Sequence, residues 1–359
     1  MKFAFSGDDR SRSQQWFAKG LKKVMTAHGH QFIEDPDHAR LVMNVADVGN
    51  PRPFRRKAKA TFVVSIVSTG DVPKDPLQAG YPLLVRTLSN LLIYLVERDS
   101  FIDTHFVTLE QGAYTLAPDP DDDRFFERVY ERLTPLASSQ LVIDNEYRTD
   151  LPHRLWEGDP LTRQLQEAGG RLDALNLLPA PFPIHELLSP RDLRHVHRLY
   201  GIGGLSYGNL SIRRDAASFW MSASGVNKAD LRVVGRDILL VTGYDPERNT
   251  MILSVPPSVE PRRVSVDAIE HWMIYTEHPP VGAIVHIHAW MEGILSTEVN
   301  YPCGTLELAT SVAELVRRAP DPGHAVIGLK NHGLTITGPS LDDIFDRIEG
   351  KVKRQVPLT

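Results

Sequence analysis

Ala283-Ile-Val-His-Ile-His288, with Lys330-Asn-His-Gly333 following it, is the stretch on which the reading of this chain turns. The first segment is a short apolar run with histidines at i and i+2. In a strand, side chains two apart leave the same face, so His286 and His288 can converge on one point. A third histidine, His332, arrives from a separate segment beside a glycine. Three neutral imidazoles from two elements are the ligand set of a catalytic zinc or similar divalent ion, with a position left open. Alone, the first pair would read as two core histidines on a half-buried strand. The residues around it decide otherwise.

The chain has 359 residues, enough for two domains of ordinary size. Hydrophobic residues at 42% and charged residues at 24% describe an ordinary globular chain. A net charge of −5 argues against a nucleic-acid partner held by bulk electrostatics. Cys303 is the single cysteine, which excludes a disulfide framework and, on this reading, a thiolate zinc site. The apolar run in Met1–Asp9 is too short for a signal-peptide core, and no segment approaches the length of a membrane span. The expectation is a cytoplasmic protein with no membrane partner.

The first 150 residues alternate strand and helix patterns, as in an α/β domain with a mainly parallel sheet. Expected strands are Lys2–Ser6, Arg40–Val45, Thr61–Val67 and His105–Leu109; expected helices are Gln14–His28 and Leu83–Val96. The Ser6-Gly-Asp-Asp-Arg10 turn stands where open α/β sheets often place a ligand, but it lacks G-x-G-x-x-G. Arg52-Pro-Phe-Arg-Arg-Lys-Ala-Lys59 reads as a solvated basic face, with an anion site as the alternative. The acidic run Asp119–Asp123 reads as an exposed turn. Residues 151–185 are punctuated by Pro and Gly and end in Leu178-Pro-Ala-Pro-Phe-Pro183, the texture of a linker. Ser189-Pro190 then opens a helix expected to run to Tyr200 and stop at Gly201, so a second domain is expected over 186–359.

That second domain carries further signals. Gly203-Gly-Leu-Ser-Tyr-Gly-Asn-Leu-Ser-Ile-Arg213 offers small residues for close backbone approach, and Asn209 and serines for neutral hydrogen bonds. Trp220-Met-Ser-Ala-Ser-Gly225 ends in a Ser-Gly turn that can cradle a phosphate or carboxylate. In Ser265-Val-Asp-Ala-Ile-Glu-His-Trp-Met-Ile-Tyr275, Ser265 reads as a helix N-cap with Asp267 in the first turn. A carboxylate at a helix start beside a metal can ligate it or shuttle a proton; the plain alternative is an acid complementing the helix dipole.

The order G-x-x-x-x-G-N-x-S, S-A-S-G, S-x-D-x-x-x-H-x-x-I-Y, V-H-x-H, G-T-x-E-L-A and N-H-G resembles the class II aldolase/adducin family over roughly residues 186–350. That family includes L-fuculose-phosphate aldolase and L-ribulose-5-phosphate 4-epimerase. The resemblance implies a three-layer α/β/α domain with a largely antiparallel central sheet, following the N-terminal α/β domain. It puts His286, His288 and His332 on the metal-binding positions, Asp267 on the acidic catalytic position, and Asn209, Ser224, Gly225 and Ser265 on substrate or phosphate contacts. It implies a divalent metal ion, zinc for preference, and a lyase of aldolase type acting on a small-molecule carbonyl or sugar (phosphate) substrate. Cleavage would run through a metal-stabilised enediolate. Epimerisation, dehydration and decarboxylation use the same enolate, and a non-catalytic adducin-like binding module is the rival class. The resemblance also implies a homo-oligomer.

Three features depart from the family pattern. Val266 stands where sugar-phosphate members often have a second serine. The stretch from His288 to Gly304 is short, and the first ~185 residues have no counterpart in the small sugar aldolases. Glu260, in Pro256-Pro-Ser-Val-Glu260, is a rival for the acid but is not followed by the helix motif, so Asp267 is preferred.

Overall fold

The continuous apolar runs of the N-terminal third become buried strands, as expected for a sheet covered on both faces. A computed structural model describes residues 1–8, 11–58, 60–200 and 207–359, with 197–200 described as backbone only. Two compact units emerge, one of residues 1–138, 182–203 and 358–359, the other of 139–181 and 204–357. In the first unit the strands are β1 (Lys2–Ser6), β2 (Gln31–Phe32), β3 (Leu41–Val45), β4 (Phe62–Thr69), β5 (Leu91–Glu97), β6 (Ile102–Thr108) and β7 (Gly112–Leu116). They form one sheet in the order β2-β1-β3-β4-β5-β6-β7. Pairings from β2 through β5 are parallel, and β5-β6-β7 pair antiparallel.

Helices α1 (Arg12–Ala27), α2 (Pro76–Arg86) and α3 (Asp122–Ser138) belong to the same unit. In α1, Ser11 and Gln14 make a reciprocal capping box, which satisfies two orphan N–H groups at the helix start. Its buried face, Phe17, Leu21, Val24 and Met25, follows the helical period.

Two sequence expectations need correction here. Leu83–Val96 is not one helix: α2 ends at Arg86, Leu88 takes φ +56°, and Leu91–Val96 is strand β5, buried throughout. A short, unbroken apolar run suits a strand inside a sheet better than a one-sided helix. Nor is the acidic run wholly a turn: Asp122 and Asp123 open α3, where their charges face the positive end of the helix dipole. Of the basic cluster, Arg56 donates to the Leu88 carbonyl at 2.7 Å, Lys57 pairs with Asp37, and Lys59 lies outside the described residues. The Ser6–Asp8 turn lines a cavity of about 260 Å³ with Asn44, Asp47 and Arg52; Asp9 and Arg10 lie outside the described residues.

Residues 139–181, partly read as linker, belong to the second unit. They contain β8 (Asp144–Arg148) and α4 (Pro160–Ala174), whose cap Asp159 accepts from the Thr162 N–H with Pro160 at the first helical position. Residues 182–203, with α5 (Ile184–Leu187) and α6 (Pro190–Tyr200), belong to the first unit. There the Asp192 carboxylate accepts from Arg86 Nη2 at 2.7 Å. The expected stop of α6 at Gly201 lies outside the described residues.

The second unit's remaining strands are β9 (Asn209–Arg213), β10 (Phe219–Ser222), β11 (Ile238–Asp245), β12 (Thr250–Ser254), β13 (Ala283–Ile287), β14 (Leu295–Ser296), β15 (Val326–Leu329) and β16 (Gly333–Gly338). Their order is β14-β15-β16-β13-β9-β10-β11-β12-β8. The pairs β12-β8 and β14-β15 are parallel; the other neighbours pair antiparallel. Helices α7 (Ala268–Glu277), α8 (Leu306–Arg318) and α9 (Leu341–Ile348) complete the unit. Both units are thus of α/β class. Strand β13 lies inside the sheet between β9 and β16, so what it carries is both buried and held from two sides. No helix among the described residues is long and apolar enough to cross a membrane.

Candidate metal centre

Strand β13 ends at Ile287, with His286 inside it and His288 one residue beyond. In register, His286 faces Asn209 of β9 and Thr335 of β16. His332 sits in the tight β15–β16 connection, where Asn331 takes φ +57° and His332 donates its N–H to the Leu329 carbonyl at 3.0 Å. Two glycines make this assembly possible. A Cβ on Gly333 would stand 2.2 Å from the Ile287 carbonyl oxygen, and one on Gly208 would stand 2.3 Å from that of His286. Only glycine lets both connections come this close to the histidine strand.

The result is a cluster of ring nitrogens from His286, His288 and His332, all within 4.8 Å of one another. His286 Nε2 and His332 Nε2 are 3.1 Å apart, and their rings stack at 11°. His286 and His288 are buried, while His332 is partly exposed. Burial, reinforced by the nearby positive charges, holds His286 down at about 4 and His332 at about 3, and takes His288 well below the ordinary imidazole value. All three rings are therefore neutral at pH 7, with lone pairs available. That is what a divalent ion requires of its imidazole donors, so the residues fit such an ion.

Asp267 is 4% exposed and accepts from Asn209 Nδ2 at 2.7 Å. Burial raises its pKa; the neighbouring His332, where protonated, and hydrogen bonds from Asn209, Cys303 and the Gly304 backbone oppose that rise. The structure thus brings Asn209 and Asp267 together beside the histidines. Ser265 is not the N-cap expected from its type: α7 starts at Ala268, and Asp267 itself is the cap residue, without a side-chain cap bond. Its carboxylate is turned to Asn209 instead of to the helix N–H groups. Ser265 donates its N–H to the Ser222 carbonyl, and Ser224 donates to that of Arg263, so Ser224, Gly225 and Ser265 gather on one bridged turn. Gly225, with φ +69°, has open space over its Cα. Glu260 is exposed and outside the cluster. Gly203 and Gly204 of the glycine-rich motif lie outside the described residues.

Three groups beside this centre escaped the sequence reading. His271, fully buried, pairs its Nδ1 with Ser211 Oγ at 2.7 Å, and Ser211 Oγ also meets Tyr275 Oη at 2.8 Å. Glu270, 2% exposed, accepts from Thr335 Oγ1 at 2.5 Å. The third is Cys303, whose Sγ lies 2.9 Å from His332 Nε2. A helical period placing residues 267, 270, 271 and 274 on one side was the available signal for the first two.

Burial, and then the Asp267 charge, lift Glu270 to about 8 from an ordinary value of 4.5. Below 4.5 folded and unfolded chains both hold this proton. Above it the unfolded chain releases the proton while the folded chain keeps it until about 8, so this group erodes stability as pH rises through that window. The slope is roughly 1.4 kcal/mol per pH unit for one proton. Glu270→Gln should remove it. Metal-free urea denaturation between pH 5 and 8 should therefore give a wild-type-minus-variant difference that falls with pH, whereas a constant difference would contradict the assignment.

Residues 193–300 match the family model described as Class II Aldolase and Adducin N-terminal domain. The likeness to that family is carried by this stretch, under a third of the chain. His286 and His288 fall inside the matched stretch, and His332 follows it. Among curated proteins no sequence match is found. Among solved structures, the chain is similar to an L-fuculose 1-phosphate aldolase, at 18% identity over 54% of this chain and 81% of that one, TM-score 0.37. It is also similar to YgbL from Klebsiella pneumoniae, at 18% identity over 53% and 83%, TM-score 0.34.

Proposed function

We propose that the second unit is a metal-dependent lyase of aldolase type, acting on a small hydroxy-carbonyl or sugar (phosphate) substrate. The observation that carries this reading is the convergence of three neutral imidazoles, two of them buried, with a buried carboxyl beside them. His286, His288 and His332 would hold the ion, zinc for preference. When bound, it would supply Lewis-acid stabilisation of the enediolate that forms as a carbon–carbon bond breaks.

Asp267 would hold and move the proton. Its Oδ2 is fixed by Asn209 Nδ2, and burial raises its pKa above the ordinary carboxylate value, the direction in which a general acid–base group is tuned. Glu270, anchored to Thr335, stands beside it with its own carboxyl lifted by burial and by the Asp267 charge. The turn of Ser224, Gly225 and Ser265 presents backbone and hydroxyl groups suited to an anionic substrate group, while Val266 in place of a serine trims that capacity. Epimerase, dehydratase and decarboxylase chemistry would use the same residues. An intact histidine set favours an enzyme over an adducin-like binding module, and a homo-oligomer belongs to the same reading.

The test is a screen of the zinc-reconstituted full chain against short hydroxy-ketones and ketose phosphates, following aldehyde release. Chelator-sensitive release from at least one compound is expected. A chain that binds zinc stoichiometrically yet releases no aldehyde from any of them would point to the binding module.

A further inference from the structure

The first unit carries a crevice that the proposed lyase chemistry does not use. In its sheet β2 lies on one side of β1, while β3, β4 and β5 follow on the other. Strands β1 and β3 are parallel neighbours, so the chain reverses its direction of travel between them. In open α/β sheets such a reversal leaves a crevice beyond the carboxyl ends of the two strands, where ligands bind. Here it is a cavity of about 260 Å³, walled by Ser6–Asp8 leaving β1 and by Asn44–Asp47 at the end of β3. Gly7, at φ +83°, lets the two walls meet, since a Cβ there would stand 2.2 Å from the Val45 carbonyl oxygen.

One wall carries an open acceptor. Asn44 is only 4% exposed and spends its amide hydrogens on the Arg52 carbonyl and on Ser65 Oγ, each at 3.0 Å. A carbonyl can only accept, so this contact fixes the amide orientation. It leaves Asn44 Oδ1 without a donor among the described residues. A buried oxygen at a cavity wall calls for a donor. The exposed groups around it extend the same character. Asp47 Oδ1 accepts from the Asn50 N–H at 2.9 Å, which shapes the turn and keeps the carboxylate at the cavity. With Asp8 there are two carboxylates against one guanidinium, that of Arg52.

That balance selects the ligand. A free anion would meet two negative charges for one positive. A flat ring would find no aromatic side chain to stack on among the described lining residues. A neutral, hydroxyl-rich molecule suits both kinds of group, because each hydroxyl can donate to Asn44, Asp8 or Asp47 and accept from Arg52 or Ser6. The volume lies just under the range of about 300–1,000 Å³ usual for drug-sized ligands, so the occupant is small. We propose that this crevice binds a free neutral monosaccharide. Such binding needs no metal at the histidine cluster.

The test is hydrogen–deuterium exchange of the full chain, read peptide by peptide, with ribose, fucose, fructose and glucose as separate probes. At least one sugar should slow exchange in the segments 1–8 and 44–52. The concentration needed should rise roughly 10- to 100-fold in Asp8→Ala and in Arg52→Ala, the scale of a hydrogen bond to a charged group. It should stay the same in His286→Ala, which separates this crevice from the histidine centre. Asp8 and Arg52 are exposed, so their replacement leaves the core intact, and the wild-type pattern is diagnostic without any variant. No protection there by any of the sugars would overturn the site, as would protection by magnesium or inorganic phosphate in their place. Protection confined to residues 283–288 would put the sugar at the histidine centre and overturn it too.

Discussion

Single replacement of His286, His288 or His332 by Ala is expected to abolish stoichiometric zinc binding. Each ring supplies one of the nitrogens gathered within 4.8 Å. Three such donors are the usual minimum for a catalytic zinc site, and none of the three replacements leaves them. The loss should be complete at micromolar protein and metal in equilibrium dialysis. The fold should survive, because the site lies at the end of β13 and in a turn, with the sheet pairings β13-β9 and β13-β16 made by backbone groups. Full metal occupancy in all three variants would show that the cluster is a set of packed histidines and nothing more.

The second large effect is on turnover. Asp267→Asn should keep the fold, since Asn209 can still meet an amide oxygen, and should keep most of the metal. It should lose about 10²- to 10⁴-fold in kcat, the usual contribution of a positioned acid–base group. A loss below about tenfold would point to another residue. Glu260→Gln is the matched control: Glu260 is exposed and outside the histidine cluster, so its removal should leave kcat unchanged. A dead Glu260→Gln beside an active Asp267→Asn would reverse the assignment of the acid.

The legible parts of this chain were those where local periodicity and tertiary role coincide. Strand β1 falls on the expected Lys2–Ser6, and the strand period carries His286 and His288 to one cluster. The α/β class follows from the same alternation. The Leu83–Val96 segment was misread because a run apolar on every side has no period to distinguish strand from helix, and the break at Leu88 needs φ +56°, which leucine does not advertise. Ser265 misled for the opposite reason: a good capping residue stood two positions before the cap, and the need to turn Asp267 toward Asn209 outweighed local propensity.

The remaining groups gave a weak local signal or none. Glu270 looks like any solvated helical acid until the helix is seen pressed on Thr335. Cys303 was set aside because one cysteine cannot build a thiolate site alone. Its place beside the cluster appears only when the Pro302–Gly304 turn is found next to His332, 29 residues away in the chain. Gly208 and Gly333 belonged to recognisable motifs, but the reason for them is an approach of 2.2–2.3 Å between a would-be Cβ and a carbonyl oxygen, a fact of the assembled sheet.

The most direct test of the central claim is the metal stoichiometry of the purified full chain, stripped with chelator and titrated with zinc under calorimetric detection. The account predicts one ion per chain, with proton release on binding and loss of the site in His332→Ala. A chain that takes up no zinc at neutral pH, while remaining folded, would contradict it.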